Sequence, residues 1–106
     1  MTVFESIADP TRRHIVELVA TRELPAGDIA AAFRVSRPAI SRHLRVLREA
    51  GVLVSRGDGQ RRLYRLEPTA LDELDRWIDR TRRFWAERLG ELDDHIRSSL
   101  DRENRP

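Results

Sequence analysis

The sequence predicts a mainly α-helical domain with one β-hairpin and a long helix at its C-terminal end. Apolar residues recur three and four positions apart through most of the 106 residues, which is the period of an amphipathic helix. The stretch 52–66 differs, because two short apolar runs there flank a glycine-bearing connection, the pattern of a hairpin. From residue 68 onward the helical period persists over several turns. We expect one domain at residues 1–100, followed by a polar tail at 101–106.

Two helices are expected at the start of the chain. Phe4 and Ile7 lie at helical spacing and predict a short helix at about residues 2–8. Asp9 is a residue type that caps helices, and Pro10 suits the first helical position, where its missing N–H is harmless. Asp9 and Pro10 therefore begin a second helix.

A helix-turn-helix is expected at about residues 26–50. A third helix ends near Phe33, and the residues from there to Ser36 leave room only for a tight turn. Ser36 can cap a fourth helix, which runs to about residue 50, where Gly51 is suited to a left-handed stop.

A wing and a final helix complete the predicted domain. Residues 52–66 form the hairpin, with Gly57–Gln60 as its connection, and the last helix covers about 68–99. Two helices joined by a tight turn and followed by a β-hairpin form the winged helix-turn-helix pattern, in which the hairpin is the wing.

The net charge of +2 hides an uneven distribution. All 20 basic residues are arginine. Between Arg34 and Arg65, nine arginines stand against two acids, a net of +7, whereas residues 67–106 carry eight arginines and eleven acids, a net of −3. A basic middle beside an acidic end is typical of a protein that binds a polyanion with one part and protein with another. We predict that the polyanion is double-stranded DNA.

The fourth helix has the surface expected of a DNA-reading helix. On a helical wheel, Ile40, Leu44 and Leu47 share one side with His43, which we expect to be structural, and the opposite arc is cationic or small. Such a helix can bury its apolar side while its other side enters a major groove. The residues predicted to read bases are Arg37, as the first choice for guanine, with Ser41, Arg42 and Pro38. Those predicted to contact the DNA backbone are Ser36, Arg34, Arg45, Arg48 and, in the wing, Arg56, Arg61 and Arg62. The alternative is that these arginines form an ordinary solvated face.

The last helix predicts a homodimer. Its apolar stripe includes the aromatic residues Trp77, Phe84 and Trp85. Aromatic residues are favoured at interface centres. The stripe could instead cover the monomer's own core, but a helix of about thirty residues exceeds what so small a body needs. A two-fold dimer would also set two reading helices one turn of DNA apart. The predicted dimer contacts are Phe4, Ile7, Trp77, Ile78, Trp85, Leu89 and Leu92.

Other classes of function find little support in the sequence. Without cysteine, disulfides, thiolate metal sites and cysteine nucleophiles are excluded. No catalytic constellation is evident, and no apolar run approaches the length of a membrane span. We predict no enzyme activity, no cofactor, no membrane association and a cytoplasmic location. RNA-binding proteins stack unpaired bases on exposed aromatic residues, and the basic stretch contains only one aromatic residue, Tyr64. A protein-interaction module whose arginines merely solubilise it is the alternative to a DNA-binding regulator.

Two runs of sequence resemble repressors of the ArsR/SmtB type. They are Ile7–Ile15 (IADPTRRHI) and Val35–Leu53 (VSRPAISRHLRVLREAGVL), and the resemblance extends over roughly residues 4–96. It implies a homodimer in which the first and last helices pair across a two-fold axis. It further implies an inverted-repeat operator, often in the protein's own promoter, and release from DNA by a small-molecule effector that the sequence does not identify.

The sequence departs from the metal-sensing members of that family. Pro25 and Gly27 stand where thiolate sensors carry paired cysteines. A second metal site of the family uses histidines and carboxylates on the last helix, where this chain has His95 with Glu91 and Asp94 nearby. A lone helical histidine among carboxylates is usually an ordinary surface residue, so we predict no metal. The aromatic residues of the last helix instead resemble those of the non-metal branch.

Overall fold

The computed structural model describes residues 1–103, and the chain divides into two units, residues 1–74 and a second unit that begins at Asp75. The elements are α1 (Val3–Ser6), α2 (Pro10–Val19), β1 (Leu24–Pro25), α3 (Ala26–Ala31), α4 (Arg37–Glu49), β2 (Leu53–Asp58), β3 (Arg61–Leu66) and α5 (Asp72–Glu103), with a 3-10 turn at Pro68–Leu71. This order confirms the predicted mainly helical winged helix-turn-helix with a long C-terminal helix.

Side chains at two helix starts act as the predicted caps. Asp9 Oδ2 accepts a hydrogen bond from the backbone N–H of Arg12 at 3.0 Å, and Pro10 takes the first position of α2. Ser36 Oγ accepts from the amide of the third residue of α4 at 3.3 Å. Just beyond the other end of α4, Gly51 has a φ of 81°, which is the predicted left-handed stop.

The wing is part of a three-stranded antiparallel sheet in the order β1–β3–β2. The hairpin connection is shorter than the predicted Gly57–Gln60, because Gly57 and Asp58 continue the ladder and leave two residues between the strands. Gly59 in that connection has a φ of 62°, a value that glycine adopts without strain. The sequence does not predict β1, because a two-residue strand that ends in proline has no alternating pattern to detect.

The core of the first unit lies between α2, α3, α4 and the sheet. Ile15 of α2, Ile29 of α3 and Leu47 of α4 are fully buried. Ile40 and Leu44 of α4 are buried with them, which confirms the predicted apolar stripe. Burial of each such side chain contributes about 1.5–3 kcal/mol. Because α4 is held by this stripe, its opposite face must point outward.

The first helix is shorter than predicted, Val3–Ser6 rather than 2–8. Its last carbonyl groups are satisfied from outside the helix, because the guanidinium of Arg12 donates to the carbonyl oxygens of Ser6 and Glu5. These bonds satisfy carbonyl groups that the end of a helix leaves without an intrahelical partner.

The last helix is displaced toward the C terminus relative to its predicted bounds. Pro68–Leu71 form a 3-10 turn, so α5 begins at Asp72 instead of residue 68. It continues to Glu103, past the predicted end at 99, because no proline or glycine interrupts the final turns. Residues 101–103 of the predicted tail are therefore helical, and residues 104–106 lie outside the described residues.

The second unit is a single helical segment of α5. Two ion pairs link its successive turns, Arg83 Nη2 to Asp79 Oδ2 at 2.7 Å and Arg97 Nη2 to Asp93 Oδ2 at 3.1 Å. Such pairs support an exposed helix by a few tenths of a kcal/mol, about 0.2–0.5 each. Within residues 1–103, no helix combines the length and the apolar content that crossing a bilayer requires.

Candidate nucleic-acid interface

Every side chain that the sequence predicts to contact DNA is exposed. On α4 and its approach these are Arg34, Ser36, Arg37, Pro38, Ser41, Arg42, Arg45 and Arg48, and in the wing Arg56, Arg61 and Arg62. For the residues of α4, the apolar stripe that packs into the core accounts for this exposure, because residues on the opposite arc of the helix cannot reach the core.

Five of these residues share one shallow depression on α4. Its lining consists of Ser36, Pro38, Ser41, Arg42 and Arg45, together with Ala39. A base edge or a phosphate can approach such a surface without being held off by bulky side chains. The arrangement brings most of the predicted α4 contacts into a single surface.

Arg37 lies apart from this surface. Its guanidinium rests against the first turn of α3, where a Cβ added to Gly27 would be 3.8 Å from Nη2. The same side chain lines a second depression with Gln60, Arg61 and Arg62 of the wing. Arg37 therefore belongs to the junction of α4 with the wing, and the first choice for reading guanine is placed beside wing residues.

Arg56 of β2 is bound to an acid that the sequence did not single out. Its Nη2 and Nε donate to the Glu23 carboxylate at 2.7 Å and 3.0 Å. This hydrogen-bonded guanidinium lowers the pKa of the Glu23 carboxyl below its ordinary value. Thirty-three positions separate the two residues, so no local sequence pattern predicts this ion pair. Since Glu23 neutralises it, Arg56 is less available to a phosphate than its exposure alone suggests.

The other two wing arginines that the sequence predicts to contact DNA differ in how far they are neutralised. Arg61 Nη2 donates to Asp58 Oδ2 at 2.7 Å, an ion pair that lowers the pKa of Asp58. Arg62 Nη1 donates to the hydroxyl of Ser55 at 3.0 Å. A hydroxyl carries no charge, so Arg62 keeps its full positive charge at the surface of the wing.

Comparison with known proteins assigns the chain to a family. The model for bacterial regulatory proteins of the arsR family matches residues 9–55, from the cap of α2 into β2. The HTH-type transcriptional regulator Rv2034 of Mycobacterium tuberculosis is 44% identical over 86 residues, which are 81% of this chain and 78% of that protein. The chain belongs to the arsR family of bacterial regulatory proteins.

Other arsR-family comparisons agree over most of both chains. The transcriptional repressor SdpR of Bacillus subtilis is 42% identical over 76 residues, 72% of this chain and 84% of that protein. A crystal structure described as a possible transcriptional regulator for arsenical resistance superposes with a TM-score of 0.72 at 43% identity, covering 87% of this chain and 93% of that one. The predicted family and fold are confirmed, and the protein is a DNA-binding transcriptional regulator, not an enzyme.

In this arsR-family chain the side chain of Arg12, on α2, contacts both the end of α1 and His43 of α4. Besides bonding the end of α1, Arg12 places Nη1 3.4 Å from Nδ1 of His43 on α4. An arginine can only donate, so Nδ1 is the acceptor in this contact. His43 is half-buried, which agrees with the structural role predicted for it. Local sequence patterns do not reveal the contact of Arg12 with His43, because the two residues are 31 positions apart.

The positions tied to metal sensing offer few ligands in the described part of the chain. Pro25 lies in β1 and Gly27 in α3, so no sulfur or imidazole stands at the segment of the thiolate site. His95, Glu91 and Asp94 are exposed on α5. Within residues 1–103, no three histidine or carboxylate side chains gather closely enough to hold a metal ion. That the protein binds no metal stays a prediction.

The predicted dimer residues fall into two groups. In the first unit Phe4 and Ile7 are half-buried, and Ile7 packs against the core cluster. In the second unit the apolar side chains of α5 are largely exposed, with Trp85 at 59% and Leu89 at 61%. The other exposed members are Trp77, Ile78, Phe84, Leu92, Ile96 and Leu100. A contiguous apolar surface of this kind marks an interaction site in soluble proteins.

Tyr64, the one aromatic residue of the basic stretch, is only 8% exposed and belongs to the core. It is therefore unable to stack on an unpaired base as RNA-binding aromatics do. The tryptophan and phenylalanine side chains that are exposed lie instead on α5.

Proposed function

We propose that the protein is a homodimeric transcriptional repressor that binds an inverted-repeat DNA operator and controls its own promoter. The observation that carries the proposal is the outward face of α4, which presents six exposed residues, four of them arginine, opposite a buried apolar stripe. Repression is supported by the relative SdpR, which is named a transcriptional repressor. A cytoplasmic location and release by a small-molecule effector are part of the same proposal.

The proposed contacts on DNA divide by their position along α4. Side chains near the start of a recognition helix meet base edges, and those farther along meet the backbone. Ser41 and Arg42, with Pro38 beside them, are the proposed readers in the shared depression. Arg45 and Arg48, with Ser36 and Arg34 before the helix and the wing arginines, supply the contacts to phosphate. Arg37, the first choice for reading guanine from the sequence, lies outside this depression, beside the wing.

The exposed stripe of α5 supports a second copy of the chain as its occupant. Eight large apolar side chains of this helix are exposed by 40–61%, and leaving them in water costs free energy that burial would recover. The named relatives are regulators of similar length. Two-fold pairing is the commonest closed assembly, and it would present two copies of α4 to successive major grooves.

The charge along α5 favours an antiparallel pair. Residues 76–83 carry four arginines and one aspartate, a net of +3, whereas residues 87–94 carry four acids and one arginine, a net of −3. In an antiparallel pair with its two-fold axis at the middle of the stripe, between residues 88 and 89, the basic segment of one copy lies beside residues 94–101 of the other, which carry two acids and one arginine, a net of −1. The acidic segment lies beside residues 83–90, which carry two arginines and one acid, a net of +1. A parallel pair would place each segment beside its like-charged copy, which is unfavourable.

The apolar stripe fixes a register for this antiparallel pair. The exposed members run from Trp77 to Leu100, so the middle of the stripe falls between residues 88 and 89. With the two-fold axis there, Trp85 of one copy faces Leu92 of the second copy. Arg82 and Asp93 border the same edge of the stripe on a helical wheel, and this register brings Arg82 of one copy to within about 3 Å, along the axis, of Asp93 of the other.

Selection from random duplex DNA at two salt concentrations tests the proposal. Wild-type protein should retain an inverted repeat whose half-sites lie about one helical turn apart, and the retained fraction should fall steeply as salt rises. Retention of a single half-site would contradict the dimer, and salt-labile retention without any preferred sequence would contradict specific reading. Failure to retain DNA at either salt concentration would favour a protein-interaction module.

A further inference from the structure

We propose that the depression between α4 and the wing is a phosphate-binding cleft, in which Arg37 and Arg62 hold one phosphate of the DNA backbone together. The inference rests on the proposed DNA-binding function and assigns Arg37 to the backbone, where the sequence predicted a base reader. Its lining is Pro25, Ala26, Gly27, Asp28, Arg37, Gln60, Arg61 and Arg62.

The position of Arg37 is hard to account for by helix stability. Arg37 is the first residue of α4, where a positive charge lies at the positive end of the helix dipole and is unfavourable. Within residues 1–103 its guanidinium makes no hydrogen bond or ion pair, although it packs against Gly27. A cation held in this way would be stabilised by an anion from outside the chain.

The wing supplies the second cation of the cleft. Among the described residues, Arg62 bonds only the uncharged hydroxyl of Ser55, whereas the charge of Arg61 is already matched by Asp58. Asp28 also lines the cleft but forms no ion pair among the described residues. The cleft as a whole therefore keeps an excess of positive charge, carried by Arg37 and Arg62.

The chemistry of the Arg37 and Arg62 guanidinium groups, neither of which forms an ion pair among the described residues, fits a phosphate. Each presents a planar fork of N–H donors that matches two phosphate oxygens. Gln60 at the wing tip can add an amide donor. The cleft adjoins the first turn of α4, the end that enters the groove, and the strand backbone borders the groove there. A phosphodiester of the bound duplex is therefore the source we assign, and free phosphate is the competing source.

Salt titrations of Arg37→Ala, Arg62→Ala and the double variant test the cleft, with Arg13→Ala as a control that removes an exposed arginine of α2 outside it. Affinity for operator and for random duplex should fall by the same factor in each cleft variant, with the preferred sequence unchanged. Because one phosphate is shared, the slope of log affinity against log salt should drop by about 0.9 in the double variant, and two separate phosphates would give about 1.8.

Three results would overturn the assignment. If Arg37→Ala loses affinity for the operator but not for random duplex, and the preference at one base position is relaxed, Arg37 is a base reader. A double variant with an unchanged slope would show that no backbone phosphate is held there. An NMR titration tests the free-phosphate source. The amide chemical shift of Gly27 is measured as sodium phosphate is added, and again with sodium chloride at equal ionic strength. A shift specific to phosphate, combined with an unchanged DNA slope, would assign the cleft to a free anion.

The same measurements separate failure of this inference from failure of the proposed function. If wild-type protein binds operator with a steep salt dependence while the cleft variants match Arg13→Ala, only the cleft is wrong. If wild-type protein binds no duplex at all, the proposed function fails, and the inference that rests on it fails with it.

Discussion

Arg42 and Arg45 line the same depression on α4, yet they should contact different parts of the DNA. They are three positions apart, so they lie on one face of the helix, about 4.5 Å apart along its axis. Arg42 is nearer the start of the helix, where side chains meet base edges, and Arg45 is nearer the backbone. The pair therefore offers a matched comparison between two exposed arginines on one face of the same helix.

Arg42→Ala should reduce affinity for the selected operator by about 1–3 kcal/mol and relax the preference at one base pair, because a bidentate base contact is lost. Arg45→Ala should weaken operator and random duplex alike and lower the salt slope by about 1. Equilibrium binding of both variants to both DNAs, at one salt concentration and then across several, measures these effects. Equal losses on operator and random duplex for Arg42→Ala would remove it from the readers.

At the residue scale the sequence could identify the exposed basic side chains but not their partners. The wheel of α4 was enough to predict that Arg42, Arg45 and Arg48 face outward, because a buried stripe fixes the opposite face. The bond from Glu23 to Arg56 and the contact from Arg12 to His43 join residues more than thirty positions apart. Only the folded chain brings such pairs together, so local spacing carries no trace of them.

The start of α2 is the element whose stability depends most clearly on one side chain. Asp9→Ala should lower the free energy of unfolding by about 1 kcal/mol at neutral pH, because the cap of the Arg12 amide is lost. Asp9→Asn keeps a side-chain oxygen and should cost less. Urea denaturation of both variants and of wild type measures the difference, and equal losses for the two would show that the cap contributes no stability of its own.

The same cap should respond to pH. The hydrogen bond from the Arg12 amide is the main cause that lowers the pKa of Asp9 below its ordinary 3.8 in the folded chain. A lowered pKa means that the stabilisation is complete above the unfolded pKa and is lost as pH falls through the folded one. The stability of wild type should thus fall toward that of Asp9→Ala below about pH 3.8. Parallel curves for the two proteins down to strongly acid pH would contradict this.

Among the elements, those with local signals were predicted well and those built by distant pairing were not. Asp9, Ser36 and Gly51 mark helix ends through their own side chain or backbone freedom, and all three act as predicted. β1 exists only because Leu24 and Pro25 pair with β3, some forty positions away. The length of the hairpin ladder is likewise set by the register of its two strands, which alternation in a short run does not determine.

For the whole molecule, the sequence determined the family and the stripe on α5, but a stripe alone does not specify its occupant or direction. The segment charges of +3 and −3 supply the direction, and the midpoint of the stripe supplies the register. The two observations are compatible, because in that register each charged segment lies beside a stretch of opposite net charge. The arrangement can be tested directly, because the native chain has no cysteine.

Single cysteines placed on α5 should cross-link in a pattern that only the antiparallel pair gives. In the proposed register Thr81 faces Ile96 of the second copy, whereas each lies roughly 22 Å from its own equivalent along the helix axis. A disulfide needs Cα atoms about 5.5 Å apart. Thr81→Cys alone and Ile96→Cys alone should therefore stay uncross-linked under oxidation, and their mixture should form a disulfide-bonded heterodimer.

Leu89→Cys is the matched control, because it lies beside the proposed axis and should cross-link to itself. Adding Trp85→Asp to each variant should abolish the bonds, since a buried carboxylate in the stripe is costly to desolvate, and sedimentation should then give a monomer. Self-linking of both Thr81→Cys and Ile96→Cys would indicate a parallel pair. If Leu89→Cys also stays unlinked, the two copies do not pair through this helix, and the two recognition helices must be brought to the operator by another surface.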